Sequence, residues 1–198
     1  MKSKPVLCLI TDRHRLGASW EAALVERVRA AAHAGVHLVQ VRERDLDGGP
    51  LTRLVASCVD AVRGTGTRVL VNDRLDVALA AGAHGVHLRA DSFSARRARA
   101  SAPSPFLIGR SVHSLAEAVA AADEGAADYL IFGTVYETSS KPGRPVAGVA
   151  ELAAVAAATP LPVLAIGGIT PARIDEVMAA GASGVAGISM FDTSGRVP

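Results

Sequence analysis

The sequence predicts an α/β fold, one (β/α)8 TIM-barrel domain spanning residues 1–198, and three observations carry that expectation. One pattern recurs four times: an Ala-rich helix end, a glycine, then a short apolar run. It occupies Ala31–Val41, Ala80–Leu88, Ala121–Phe132 and Ala179–Gly187. Its glycines, Gly35, Gly82, Gly125 and Gly181, stand 43 to 56 residues apart, about the length of two βα units. Strand-like segments between the repeats bring the strand count to eight, alternating with helices, which calls for a parallel sheet covered by helices. No G-x-G-x-x-G follows the first strand, so the doubly wound dinucleotide sheet is disfavoured against a closed barrel.

The elements follow in chain order. Val6–Thr11 is a short apolar run of strand length, and Trp20–Ala34 has the apolar spacing of a helix. The run after Gly35 is strand two, and Leu51–Arg63 the next helix. Arg68–Asn72, Leu75–Ala81, the run after Gly82, and Ala95–Ala100 continue the alternation. Phe106–Gly109 is strand five, and Leu115–Glu124 is a helix with Ser114 at its N-cap. The run ending at Phe132 is strand six, and Val149–Ala158 helix six. Pro162–Ile166 is strand seven, and Ala172–Ala180 is a helix introduced by Thr170 as N-cap and Pro171 in its first turn. GVAG is strand eight. Only FDTSGRVP follows Met190, so the last helix is missing or truncated. Bare strand flanks there predict a homo-oligomer, since exposed apolar surface costs ~25 cal/mol per Å2.

Composition narrows the function. Of the residues 49% are hydrophobic and only 4% aromatic, so the core is built from Ala, Val, Leu and Ile. The 21 Lys and Arg against 19 Asp and Glu leave a net charge of +2, which excludes a nucleic-acid-binding surface. The cluster Arg96-Arg97-Ala98-Arg99 lacks interleaved aromatics and is expected on a solvated helix face. Cys8 and Cys58 lie in apolar stretches and are expected as buried thiols, not as a disulfide or zinc site. No run is long enough to span a membrane and no signal-peptide pattern opens the chain, so a cytoplasmic location is expected.

Sites in such barrels lie where strands end and βα loops begin. Polar residues gather there: Gln40-Val41-Arg42-Glu43-Arg44, Asn72-Asp73-Arg74, Arg110-Ser111-Val112-His113, and Glu137 to Lys141. Gly167-Gly168 and Gly187-Ile188-Ser189 follow strands seven and eight, the usual phosphate cradle of this architecture. Their glycines admit backbone N–H groups to an anion, and the helix starting at Thr170-Pro171 aims its positive end there. A small phosphorylated ligand is therefore expected. His113 is the candidate for proton transfer, with Arg44, Arg110 and Lys141 expected around it and Glu137 as the next candidate base. His37 and His87 lie in apolar strands and read as interior residues. Arg42, Arg44 and Lys141 suit carboxylate or phosphate. Asp73 and Asp91 are the carboxylates placed to share a Mg2+ with a substrate phosphate, a pairing of low specificity.

With these residues, nearly the whole chain resembles the thiamine phosphate synthase/TenI family. The matching segments are VQVRERD, VNDRLDVALAAGAHGVHL, IGRSVHSLAEAV, DYLIFGTVYETSSKPG and PVLAIGGITPARIDEVMAAGASGVAGIS. Synthases of this family use Mg2+ to join a pyrimidine pyrophosphate to a thiazole phosphate. Their residues are matched at Gln40, Arg42, Asn72, Asp73, Ser111, Thr138 and Lys141. The chain departs where Arg44 replaces a lysine, Ser92 the second metal aspartate, and Ser140 a threonine. TenI-type tautomerases look closer, through Arg42-Glu43-Arg44, Ser92-Phe93-Ser94, Ile108 to Leu115 and Tyr136-Glu137-Thr138.

That resemblance implies aromatisation of a carboxythiazole phosphate, with His113 as base and then acid, without metal or cofactor. Gly168, Ile188 and Ser189 match the family's phosphate cradle, with Gly167 beside them, and Arg44 and Lys141 would meet the substrate carboxylate. Two alternatives stand beside it. One is a synthase, in which Asp73 would hold Mg2+. The other is a non-catalytic barrel that binds a thiazole phosphate as a regulator.

Overall fold

The computed structural model describes residues 4–138, 143 and 145–191. Eight parallel strands close into a barrel in chain order: β1 (Val6–Ile10), β2 (Leu38–Val41), β3 (Arg68–Asn72), β4 (Gly85–Leu88), β5 (Leu107–Val112), β6 (Tyr129–Phe132), β7 (Val163–Ile166) and β8 (Gly184–Gly187). The ring closes where Val6 pairs with Gly184 and Leu9 with Gly187. Between the strands run α1 (Trp20–His33), α2 (Gly48–Ala61), α3 (Leu75–Ala80), α4 (Ala95–Ser101), α5 (Leu115–Asp123), α6 (Gly148–Ala158) and α7 (Ile174–Ala179). The expected loss of an eighth helix falls on residues 192–198, outside the described residues. No helix of the described chain is long and apolar enough to cross a membrane.

Alternation along each strand divides the apolar residues into two sets. Val39, Val69, Val71, Val86, Ile108, Leu130 and Val185 point outward and meet the helices. Cys8, Ile10, Leu38, Leu70, Tyr129, Ile131, Leu164 and Ala186 fill the barrel itself. Both thiols are buried and unpaired as expected, and burial pushes each up to about 12. Gly109 is small for a packing reason: a Cβ there would lie 2.4 Å from His87 Nδ1 and 2.3 Å from Tyr129 Cζ.

Several expectations are corrected. Strand five runs on to Val112, so Arg110 and Ser111 belong to the strand and not to the loop after it. Helix α2 begins at Gly48, before Pro50, because the N–H that proline lacks has no helical partner in a first turn. His37 is exposed, and its Nδ1 accepts from Leu7 N at 3.2 Å. Thr170 makes no side-chain cap, and Pro171–Arg173 is a 3-10 turn that leaves α7 only six residues long. Ser114 caps α5 as expected, accepting from Glu117 N. Arg99 is not merely solvated: it pairs with Asp128 at 2.6 Å and donates to Phe106 O and Ala126 O, fastening α4 beneath β5 and β6.

Candidate active site

The C-terminal ends of the strands form a mouth whose floor has two characters. On the β2–β5 side the inward residues are Gln40, Asn72, His87 and Ser111; on the β6–β1 side they are Ile131, Ile166, Ile188 and Ile10. Gln40 Nε2 donates to Asn72 Oδ1 at 3.0 Å, and both side chains are buried. Gln40 Oε1 is a buried acceptor with no partner among the described residues. Such a group is costly to leave unmade, so the floor asks for a ligand N–H. A cavity of about 300 Å3 at the opposite end, lined by Arg68, His84, Arg99 and Asp128 among others, lies away from the strand ends where barrel chemistry takes place.

His87 is interior as read from sequence, yet it organises the polar wall. Its Nδ1 lies 3.1 Å from the Tyr129 hydroxyl and its Nε2 lies 2.8 Å from Ser111 Oγ. Burial pushes the imidazole down to about 3, so it is neutral and carries one proton. Tyr129 OH is buried and has no other partner among the described residues, so it donates to Nδ1. Nε2–H then donates to Ser111 Oγ, and the Ser111 proton is left to donate into the mouth.

The RER segment is braced from below. Thr11 Oγ1 donates to Glu43 Oε1 at 2.5 Å, Arg13 N donates to Oε2 at 3.1 Å, and Arg42 N donates to Thr11 Oγ1 at 3.0 Å. Glu43 is 3% exposed, and burial raises its carboxyl above the ordinary range. Its role is to lock the ends of β1 and β2 together beneath Arg42 and Arg44. Arg42 is half-buried, with its proton affinity lowered by burial and by Arg44, whereas Arg44 is exposed. Glu43→Ala strands the buried Thr11 hydroxyl and the half-buried Arg13 amide, so urea unfolding should show a loss of about 2–4 kcal/mol.

Asp73 adopts φ +63°, an uncommon conformation for a non-glycine residue, immediately after β3. Arg89, just past β4, places its Nε 3.0 Å from Asp73 Oδ2 and 3.3 Å from Asp91 Oδ1. The Nε–H is not aligned for a hydrogen bond, so the contact is an ion pair. The place between the two carboxylates that Mg2+ would need is thus filled by a guanidinium. Ser92 offers no carboxylate, and no group of three His, Cys, Asp or Glu lies together among the described residues. In this arrangement the residues do not fit a divalent cation.

Across the mouth, Gly167 (φ +98°) and Gly168 (φ +65°) turn against the loop after β6. A Cβ on Gly167 would lie 2.4 Å from Thr134 Cγ2, and one on Gly168 would lie 2.4 Å from Glu137 O. Arg173 donates to Gly168 O at 2.7 Å and stacks on Tyr136, whose hydroxyl donates to Glu176. Arg27 donates to Ile188 O at 2.8 Å. With those carbonyls held, the N–H groups of Gly168, Ile188 and Ser189 donate to no backbone group among the described residues. A cradle here would be made of loop amides, because a helix as short as α7 supplies little dipole.

The remaining candidates separate. His113 is exposed just beyond β5, and its N–H donates to Glu117 Oε2 at 2.7 Å. Arg110 does not stand with it: the guanidinium donates to Ala90 O and Phe93 O, fastening the β4–α4 loop. Glu137 is exposed and Thr138 half-buried at the end of the β6 loop. Ser140 and Lys141 lie outside the described residues. Sequence reasoning missed Arg89 and Thr11. The strand-end rule applied to GVHL would have found Arg89, whereas nothing local marks Thr11.

Fold and mouth together define a (β/α)8 barrel with polar residues gathered at its strand ends. The profile of the thiamine monophosphate synthase family matches residues 7–191. A thiamine-phosphate synthase of Methanoculleus marisnigri is 45% identical over 170 residues, covering 85% of this chain and 80% of that protein. One from Roseiflexus sp. (strain RS-1) is 39% identical over 186 residues, covering 93% and 77%. The structure of a thiamine phosphate pyrophosphorylase from Pyrococcus furiosus superposes with a TM-score of 0.82 at 33% identity, covering 96% of this chain and 93% of that one. A 3-hexulose-6-phosphate synthase, at 15% identity and a TM-score of 0.70, shares the fold alone. The chain belongs to the thiamine monophosphate synthase family.

Proposed function

We propose that this protein is a transferase that couples a hydroxymethylpyrimidine pyrophosphate with a thiazole phosphate, expelling pyrophosphate. This replaces the tautomerase expectation as the favoured reading, because the relatives compared above carry synthase names. The observation that carries it is the division of the mouth. Coupling needs two separate anion stations, and two groups of donors support that reading: the amides of Gly168, Ile188 and Ser189, and the wall bearing Arg42, Arg44, Asn72 and Ser111. Between them the unpaired Oε1 of Gln40 awaits an N–H donor on a heterocycle. The cradle would hold the thiazole monophosphate. The wall would hold the pyrophosphate, with the Ser111 proton aimed at its oxygens as negative charge gathers on the leaving group.

The test incubates the protein with both substrates and follows thiamine phosphate and released pyrophosphate. One pyrophosphate per thiamine phosphate is expected. A parallel incubation with the unaromatised carboxythiazole phosphate, read by ultraviolet absorbance, should show no change. Turnover there without coupling would restore the tautomerase, and His113→Ala should then cut it by about 10²–10⁴-fold. Binding of thiazole phosphate without either reaction would leave the regulator.

A further inference from the structure

We propose that Arg89 acts as a built-in cation, seated between Asp73 and Asp91, so that this mouth accepts a pyrophosphate group without a divalent metal. The inference rests on the coupling reading for the identity of the anion. Its geometry stands apart from that reading.

Residues 73 and 89 are brought together by the pairing of Asn72 with His87, which sets the ends of β3 and β4 side by side. Asp73 N donates to His87 O at 2.9 Å, fixing the backbone from which the Asp73 carboxylate projects. The same carboxylate meets Arg89 twice, at Nε (3.0 Å) and at the backbone N (3.5 Å). Asp91 closes the other side at 3.3 Å, on a loop that Arg110 fastens through the carbonyls of Ala90 and Phe93. Both carboxylates therefore engage one nitrogen of the guanidinium. Neither terminal amino group hydrogen-bonds to a described residue, and the side chain is 43% exposed.

Those amino groups form the part of arginine that pairs with planar or phosphate oxygens in bidentate fashion. Arg89 is also near enough to Arg42 to depress the proton affinity of that side chain, as Arg44 does. Three guanidinium groups thus share the β2–β4 rim. A divalent ion entering there would have to expel Arg89 from both carboxylates and then sit beside Arg42 and Arg44. An anion faces no such barrier.

The experiment is calorimetric titration of the whole protein with inorganic pyrophosphate, in EDTA and in millimolar Mg2+. The wild-type protein should bind in EDTA, with affinity within about threefold of that in Mg2+. Arg89→Ala should weaken metal-free binding by about tenfold or more and, with Asp73 and Asp91 released, should recover affinity when Mg2+ is added. Arg89→Lys retains a point charge without the fork and should fall between them. Mn2+ resonance should show no bound ion in the wild type and a bound ion in Arg89→Ala. Pyrophosphate affinity in the wild type that rises about tenfold with Mg2+, or Mn2+ held by the wild type, would overturn the proposal. Should Arg89→Ala fail to fold, the wild-type comparison and Arg89→Lys decide alone. Metal-free pyrophosphate binding without coupling activity would support Arg89 and count only against the synthase reading.

Discussion

Gly168→Val is expected to reduce affinity for thiazole phosphate by about 10²-fold, equivalent to about 2.7 kcal/mol, with the barrel still folded. Two effects add. Gly168 sits at φ +65°, where a β-branched residue is strained by about 1–3 kcal/mol. Its new Cβ would also fall 2.4 Å from Glu137 O and 2.8 Å from Tyr136 Cβ. That loop has little room to retreat, since Tyr136 N donates to Gly167 O at 3.0 Å and Arg173 stacks 4.2 Å above the Tyr136 ring. The turn must therefore open on its other side, moving the Gly168 amide out of the cradle. Titration of the variant with thiazole phosphate measures the loss. Affinity within threefold of wild type would show that the anion binds elsewhere, because a shift of that size is worth only about 0.6 kcal/mol.

The second large effect is on stability in acid. His87 is held at about 3 in the folded chain, against roughly 6.5 when exposed in the unfolded one. Between those values the unfolded chain binds the extra proton and the folded chain does not. Stability contributed by the neutral ring is therefore complete above about pH 6.5 and is lost as pH falls toward the folded value. The loss accumulates at up to about 1.4 kcal/mol per pH unit, on the order of 4–5 kcal/mol across the window. His87→Gln keeps an acceptor for Tyr129 and a donor for Ser111 but cannot titrate. Urea midpoints measured from pH 7 down to pH 4 should fall more steeply for the wild type than for the variant. Equal slopes would mean that other groups govern acid unfolding. Nitrogen NMR of the native ring should find the proton on Nε2; a proton on Nδ1 would reverse the Tyr129–His87–Ser111 chain and remove Ser111 as the donor to the ligand.

Local pattern carried far in this molecule. The Ala-rich helix ends with their glycines, and the apolar runs after them, were enough to read the alternation, because each βα unit states its own period and its own stop signal. The strand-end rule also placed Gln40, Arg42, Asn72, Ser111, Gly168 and Ile188 at one face, since a parallel barrel puts every strand's C-terminus on the same side. It failed where a boundary mattered. Ending strand five at Gly109 placed Arg110 in the mouth, but three further ladder pairs, Arg110 with Leu130, Ser111 with Ile131 and Val112 with Phe132, keep it in the strand and turn it outward to the β4–α4 loop.

By itself the sequence determined the order of elements, the apolar faces, the glycine turns and the set of strand-end residues, all of which depend on neighbours a few positions away. Only the tertiary structure decided which of those residues meet. Thr11 donates to Glu43 across 32 positions, His87 joins Tyr129 to Ser111 because Gly109 leaves room for the ring, and Arg89 reaches both Asp73 and Asp91. Those meetings follow from inter-strand register and from the direction each side chain takes as it leaves the pleat. A shift of one residue in either would send the same side chains to the opposite face of the sheet.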